Sequence, residues 1–264
     1  MEKNVETIID FENIYANYGN FQALKNINLK IKSDENWAIL GANGSGKSTL
    51  IKLLTNDLYP NTSYEFKKEL FGKDRWNIFE LKKLLGIITN ELHVKFMNCE
   101  SYITVQDVVT SGYHSAIGTY KHHIFSEEEL KRTEKTMKFL NILNIKDKKV
   151  HELSTGQLRL AIIGRALIHS PKAFILDEPT VGLDIKAQRT FIKLFEKISK
   201  ETPIILITHD ISEIFPRITN VALIHNQTVY KQGKKEDVLT SENLSEIFET
   251  RINLEEKDGR YFII

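Results

Sequence analysis

The stretch Gly41-Ala42-Asn43-Gly44-Ser45-Gly46-Lys47-Ser48-Thr49 satisfies the pattern G-x-x-x-x-G-K-[ST] at every fixed position. Each residue type there serves phosphate binding. The glycines let backbone N–H groups turn inward around phosphate oxygens. A helix opening at the end of the loop aims its positive N-terminal end at the same anion. Lys47 has the length to reach the β- and γ-phosphates of a nucleotide, and the Ser48 hydroxyl suits Mg²⁺. A second chemical stretch is Ala173-Phe174-Ile175-Leu176-Asp177-Glu178, an apolar run ending in two acids. In a doubly wound sheet, Asp177 at the C-terminal end of such a strand comes beside the phosphate loop, where it holds Mg²⁺ directly or through water. Glu178 is then placed to polarise an attacking water. Read alone, the two acids also suit a cap for the turn containing Pro179 and Gly182. The intact phosphate loop upstream favours the catalytic reading.

Residues of this kind need strands that stop abruptly and helices that start abruptly. Trp37–Leu40 is an apolar run entering the glycine-rich turn, and Ser48–Thr55 behind it has helical character. Ala173–Leu176 and Ile204–Ile207 read as buried strands. Between them, Ala187, Phe191, Leu194, Phe195 and Ile198 form a helical stripe over Ile185–Lys200, which makes one strand–helix–strand crossover. From about Asn90 to His151 strand signals are scarce. Ser126 and Glu129 form a capping box there, ahead of an expected helix from Glu127 to Leu143 with Leu130, Met137 and Leu140 on one face. Towards the end, Val221–Ile224 and Thr228–Tyr230 flank Asn226-Gln227, and Ile252–Glu255 and Arg260–Ile264 flank Lys257-Asp258-Gly259; both read as hairpins. The alternation predicts an α/β fold with a largely parallel sheet.

The chain of 264 residues carries 36 Lys+Arg against 35 Asp+Glu, a net charge of +1. That balance gives no electrostatic case for nucleic acid as a partner. The single cysteine, Cys99, excludes an intramolecular disulfide and an all-cysteine zinc site, and points to a reducing, cytoplasmic compartment. No secretory signal is expected, and no stretch approaches the ~18–20 apolar residues that cross a bilayer.

The segment Leu153-Ser154-Thr155-Gly156-Gln157, followed by Arg165-Ala166-Leu167, resembles the LSGGQ signature of the ATP-binding cassette (ABC) family, with Thr155 replacing its first glycine. The order is also that of the family: phosphate loop, signature, Asp177-Glu178-Pro179-Thr180, Gly182-Leu183-Asp184, and Thr208-His209-Asp210. The resemblance covers essentially the whole chain. It implies a P-loop NTPase of ABC type, a mainly parallel core with antiparallel hairpins and a helical subdomain. Residues 1–264 would form one nucleotide-binding domain, with about 90–151 inserted into a RecA-like core. It also implies an ATPase using ATP and Mg²⁺, in which two subunits, here a homodimer, close head to tail on two nucleotides. Ser154, Gly156 and Gln157 would then meet the γ-phosphate of the partner's ATP, Asp184 would cross the interface, and His209 would contact γ-phosphate and orient Glu178. Tyr18 matches the aromatic that stacks on adenine; Tyr15 is the second candidate.

Besides Thr155, a second position departs from the family. A glutamine that contacts Mg²⁺ and the attacking water is expected after the strand beginning at Leu85, and counting places Asn90 there, one methylene short; His93 competes for the role. The resemblance implies the ATP-hydrolysing subunit of an ABC transporter, working with a separate integral membrane permease at the inner face of the membrane, with export and import both open. The stretch Val108–Tyr120 looks like the molybdate-transport-like branch. The alternatives are a soluble ABC-type ATPase acting in translation, repair or regulation, or a nucleotide-sensing dimer. Intact Glu178 and His209 speak against the last.

Overall fold

In chain order the elements are β1 (Thr7–Tyr18), β2 (Phe21–Lys32), β3 (Trp37–Leu40), α1 (Lys47–Leu54), β4 (Lys67–Leu70), α2 (Ile78–Leu84), β5 (Leu85–Ile88), α3 (Asn90–Met97), α4 (Val105–Thr110), α5 (Glu127–Phe139), α6 (Thr155–Leu167), β6 (Ala173–Asp177), α7 (Ile185–Ile198), β7 (Ile204–Thr208), β8 (Asn220–His225), β9 (Thr228–Lys234), α8 (Lys235–Val238), α9 (Ser241–Phe248), β10 (Leu254–Lys257) and β11 (Arg260–Ile263). This computed structural model describes residues 5–119 and 123–264; Tyr120, the last residue of the Val108–Tyr120 stretch, lies outside them. The chain forms two compact units, one of Met1–Leu81 with Ile192–Ile264 and one of Lys82–Phe191.

In the first unit, β3 lies parallel to both β7 and β8, and β9 returns antiparallel to β8. All four residues of β3 and all five of β7 are buried, the continuous apolar pattern that parallel strands covered on both faces require. Asn36 fixes their register from below. Its side-chain carbonyl accepts from the Ile204 N–H at 2.9 Å, and its backbone carbonyl accepts from Thr219 and Asn220 N–H. Three strand starts are thereby held level, so the upper ends of β3 and β7 are level too. The same unit holds an antiparallel sheet of order β2-β1-β4. Asp10 on its central strand receives Lys30 at 2.9 Å and Lys67 at 2.8 Å, one lysine from each neighbouring strand. Burial alone would raise the Asp10 carboxyl, but hydrogen bonds and charge from the two lysines hold it below the usual carboxylate range.

In the second unit, β5 pairs parallel with β6, and α6 packs against β5, α3, α4 and α5. The Ser126–Glu129 capping box is present at the start of α5. That helix is shorter than the sequence suggests. It stops at Phe139 because Asn141 takes a left-handed φ of 56°. Of its expected apolar face, Met137 and Leu140 are buried while Leu130 is 42% exposed. Both C-terminal hairpins form, with positive φ at Asn226 and Gln227 in one turn and at Asp258 and Gly259 in the other. No described helix is long and apolar enough to cross a membrane.

Candidate functional site

The phosphate loop runs from the end of β3 to the start of α1. Gly41 cannot carry a side chain, because a Cβ there would overlap the Ile224 carbonyl and the Ser45 hydroxyl. Gly46 caps α1 with φ +112°, a conformation that L side chains rarely adopt. The cap uses no side-chain hydrogen bond and the first turn holds no acid, so the positive end of the helix is left for an external anion. Lys47 is buried and curls back over the loop, donating from Nζ to the Gly41 carbonyl at 2.8 Å and the Ala42 carbonyl at 2.9 Å. Ser45 Oγ is buried without a hydrogen-bond partner, an unmet need of the kind a bound group satisfies. Asn43, Gly44 and Ser48 are exposed, while Thr49 is buried. The donor set therefore fits a nucleotide's phosphates.

The structure separates the two aromatic candidates. The Tyr15 ring is stacked on Tyr64, with centroids 3.9 Å apart. Tyr18 is 42% exposed with Lys52 Nζ 5.2 Å over its ring, which leaves ring surface for a base. His209 is half-buried directly after β7. Behind it, the Asp210 carboxylate accepts from the Ser212 N–H at 2.8 Å and caps a short 3₁₀ turn.

The remaining expected residues lie in the second unit. β6 ends at Asp177, and Glu178 follows with a left-handed φ of 46°. Asn90 follows the strand that begins at Leu85, as expected, and opens a helix. β5 stops at Ile88, Thr89 becomes a helix cap accepting from the Leu92 N–H at 3.2 Å, and Asn90 is the first residue of α3. Its Oδ1 accepts from Arg159 Nη2 at 3.1 Å. Arg159 Nη1 donates to the Pro179 carbonyl and, at 3.5 Å, to that of Glu178. Asn90, His93, Arg159, Asp177 and Pro179 all line one cavity of about 10 Å³, space for about one water. His93 is buried in this wall with Nδ1 unpartnered. Burial, with the Arg159 charge, holds its imidazole below the usual histidine range. Arg159 had no place among the sequence candidates. The signal was a cation inside the apolar face of a helix, flanked by Leu158, Ala161 and Ile162.

Ser154 is the cap of α6. Its hydroxyl accepts from the Gln157 N–H at 3.3 Å while Gln157 Oε1 accepts from the Ser154 N–H at 3.1 Å. Ser154 and Thr155 are exposed, and nothing lies within 4 Å of where a Gly156 Cβ would stand. Asp184 caps α7 by accepting from the Ala187 N–H at 2.8 Å. Two apolar side chains beside it face solvent, Val181 at 42% and Ile185 at 71% exposure. Among the described residues no cluster of three or more His, Cys, Asp or Glu side chains forms a metal site. Oxygen donors of the kind Mg²⁺ takes occur in each unit by itself: the Ser48 hydroxyl in the first, and the Asp177 carboxylate and Asn90 Oδ1 in the second.

Comparison with known proteins places the chain in a family. The ABC transporter family profile matches residues 24–181. The uncharacterized ABC transporter ATP-binding protein YmeB of Lactococcus lactis is 30% identical over 98% of this chain and 98% of its own length. The ABC transporter ATP-binding protein ModF of Escherichia coli is 35% identical over 77% of this chain and 41% of that protein. Among solved structures, cbiO1 of Clostridium perfringens, part of the ABC transporter complex cbiONQ, is 31% identical, covers 91% of this chain and 94% of its own, and superposes with a TM-score of 0.76. The chain belongs to the ABC transporter family, as one of its ATP-binding subunits.

Proposed function

We propose that the chain is one nucleotide-binding domain that hydrolyses Mg-ATP as a head-to-tail dimer and powers a separate membrane permease. The observation that carries the ATP reading is the phosphate loop: an uncompensated helix N-terminus, a lysine folded over the loop and an orphaned buried hydroxyl. In this reading Gly41, Asn43, Gly44, Ser45, Gly46, Lys47 and Thr49 build the cradle, and Tyr18 takes the adenine. Ser48, Asp177 and Asn90 would hold Mg²⁺, which would supply positive charge against the β- and γ-phosphates. Glu178 orients a water and draws its proton as the water oxygen bonds to the γ-phosphorus. The bond to the β–γ bridging oxygen breaks, and ADP and phosphate leave. His209 orients Glu178 and meets the γ-phosphate. Ser154, Gly156 and Gln157 of one subunit face the nucleotide of the other, and Asp184 crosses the interface. The exposed Val181 and Ile185 support this dimer, since apolar side chains grouped beside a polar turn suit a contact surface. A permease partner is supported by cbiO1, a part of a transporter complex. The working location is then the cytoplasmic face of the membrane.

Phosphate release tests the reading. The wild type is expected to turn over ATP only with Mg²⁺, and Lys47→Ala to weaken ATP binding about a hundredfold or more; equal binding by the variant contradicts it. Purification from detergent-solubilised membranes is expected to bring down an integral membrane protein. A chain recovered without one favours the soluble ATPase.

A further inference from the structure

Arg159 is 5% exposed and stands on the buried face of α6. A guanidinium has five N–H donors and no acceptor, and burying its charge is costly unless oxygens surround it. The oxygens it finds belong to the two chain segments that carry the chemistry. Nη2 donates to Asn90 Oδ1, and Nη1 donates to the backbone carbonyls of Pro179 and Glu178.

Glu178 is the residue that most needs such support. Its φ of 46° is left-handed, a conformation that side chains other than glycine rarely adopt and that strains the backbone. Such a conformation persists where the surroundings over-determine it. Here the Glu178 carbonyl also accepts from the Val181 N–H at 3.3 Å, so two donors hold the peptide from which the carboxylate is aimed. Asn90 is fixed by the same group in a different way. Because arginine only donates, Oδ1 must face Arg159 and the amide N–H₂ must point elsewhere.

We propose that Arg159 is a positioning residue for hydrolysis: it locks the backbone that aims the Glu178 carboxylate and sets the orientation of the Asn90 amide. This rests on Glu178 and Asn90 acting in ATP hydrolysis as described above. Arg159 works through these two groups, while nucleotide affinity depends on the phosphate loop and Tyr18. Its loss therefore acts on turnover and spares binding. Lysine at this position keeps the charge and the apolar stem, but its donors sit on a single nitrogen and lack the planar fork that reaches these three acceptors together.

The test compares the wild type with Arg159→Met and Arg159→Lys in steady-state Mg-ATP hydrolysis, with thermal melting as the control for folding. Arg159→Met is expected to lower kcat at least tenfold with KM for ATP within twofold, and Arg159→Lys to recover part of the loss. In an Asn90→Ala background the Arg159→Met loss is expected to shrink, because one of its targets is gone. Wild-type kcat in both variants overturns the proposal. So does a rise in KM that accounts for the whole loss, or a lysine variant no better than methionine. Should Arg159→Met fail to fold, Arg159→Lys decides alone: reduced kcat at constant KM supports positioning, and an unchanged kcat overturns it. A wild-type chain without Mg-ATP hydrolysis overturns the ATPase reading itself; an active wild type with indifferent variants overturns only the role of Arg159.

Discussion

Asn90 shows what one methylene decides. The family pattern calls for glutamine at this place, and the shorter amide sits against Arg159 at the wall of a cavity of about 10 Å³. A glutamine would bring one more methylene into that wall and move the amide away from the position in which Asn90 meets Arg159. Asn90→Gln is expected to leave ATP affinity within twofold and to change turnover at least threefold, read as kcat against the dissociation constant for ATP. A large loss of affinity would assign Asn90 to nucleotide binding. The phosphate loop was legible at this scale because its chemistry demands fixed residue types at fixed spacing. Arg159 was not, because the acceptors that explain it, Asn90, Glu178 and Pro179, lie 69, 19 and 20 residues away in the chain.

Local elements were readable wherever a short-range signal sets them. The Ser126–Glu129 box starts α5, the buried run Trp37–Leu40 forms β3, and Asp258-Gly259 turns the last hairpin. The opening β1–β2 hairpin gave no such signal. Its period of two is interrupted by register shifts around Asn13, and Ile8, Ile9, Asp10 and Phe11 are buried in succession. One lysine in this sheet offers a measurable consequence. Lys68 on β4 is 7% exposed, donates to Asn56 Oδ1 and lies 4.9 Å from the Tyr59 ring centroid. Burial lowers its pKa from 10.5 to about 8. Between these values the unfolded chain holds a proton that the folded chain lacks, so stability rises with pH across that window; below pH 8 the full cost of the buried charge is present. Lys68→Met is accordingly expected to stabilise the fold at pH 7 by about 2–3 kcal/mol, a gain that fades as pH passes from 8 towards 10.5. Chemical denaturation at pH 7 and pH 10 measures this. A variant less stable at pH 7, or a gain that grows with pH, would contradict it.

For the whole molecule, the fold class followed from alternating strands and helices, and the family from ordered motifs spread along the sequence. Assembly was legible only through the family resemblance, since no physical rule applied to one chain says what meets Ser154 or Asp184. The structure adds the surface chemistry of that expectation. Ser154 and Thr155 are exposed at the head of α6, and Val181 and Ile185 stand open beside Asp184. The central claim is that two chains share each nucleotide. Glu178→Gln should retain ATP binding while blocking its hydrolysis, which holds the closed form long enough to weigh. Gel filtration with light scattering in Mg-ATP is expected to give about twice the 30.5 kDa chain mass, returning to the single-chain mass in ADP. A Glu178→Gln protein that binds ATP and remains at the single-chain mass would contradict the shared site.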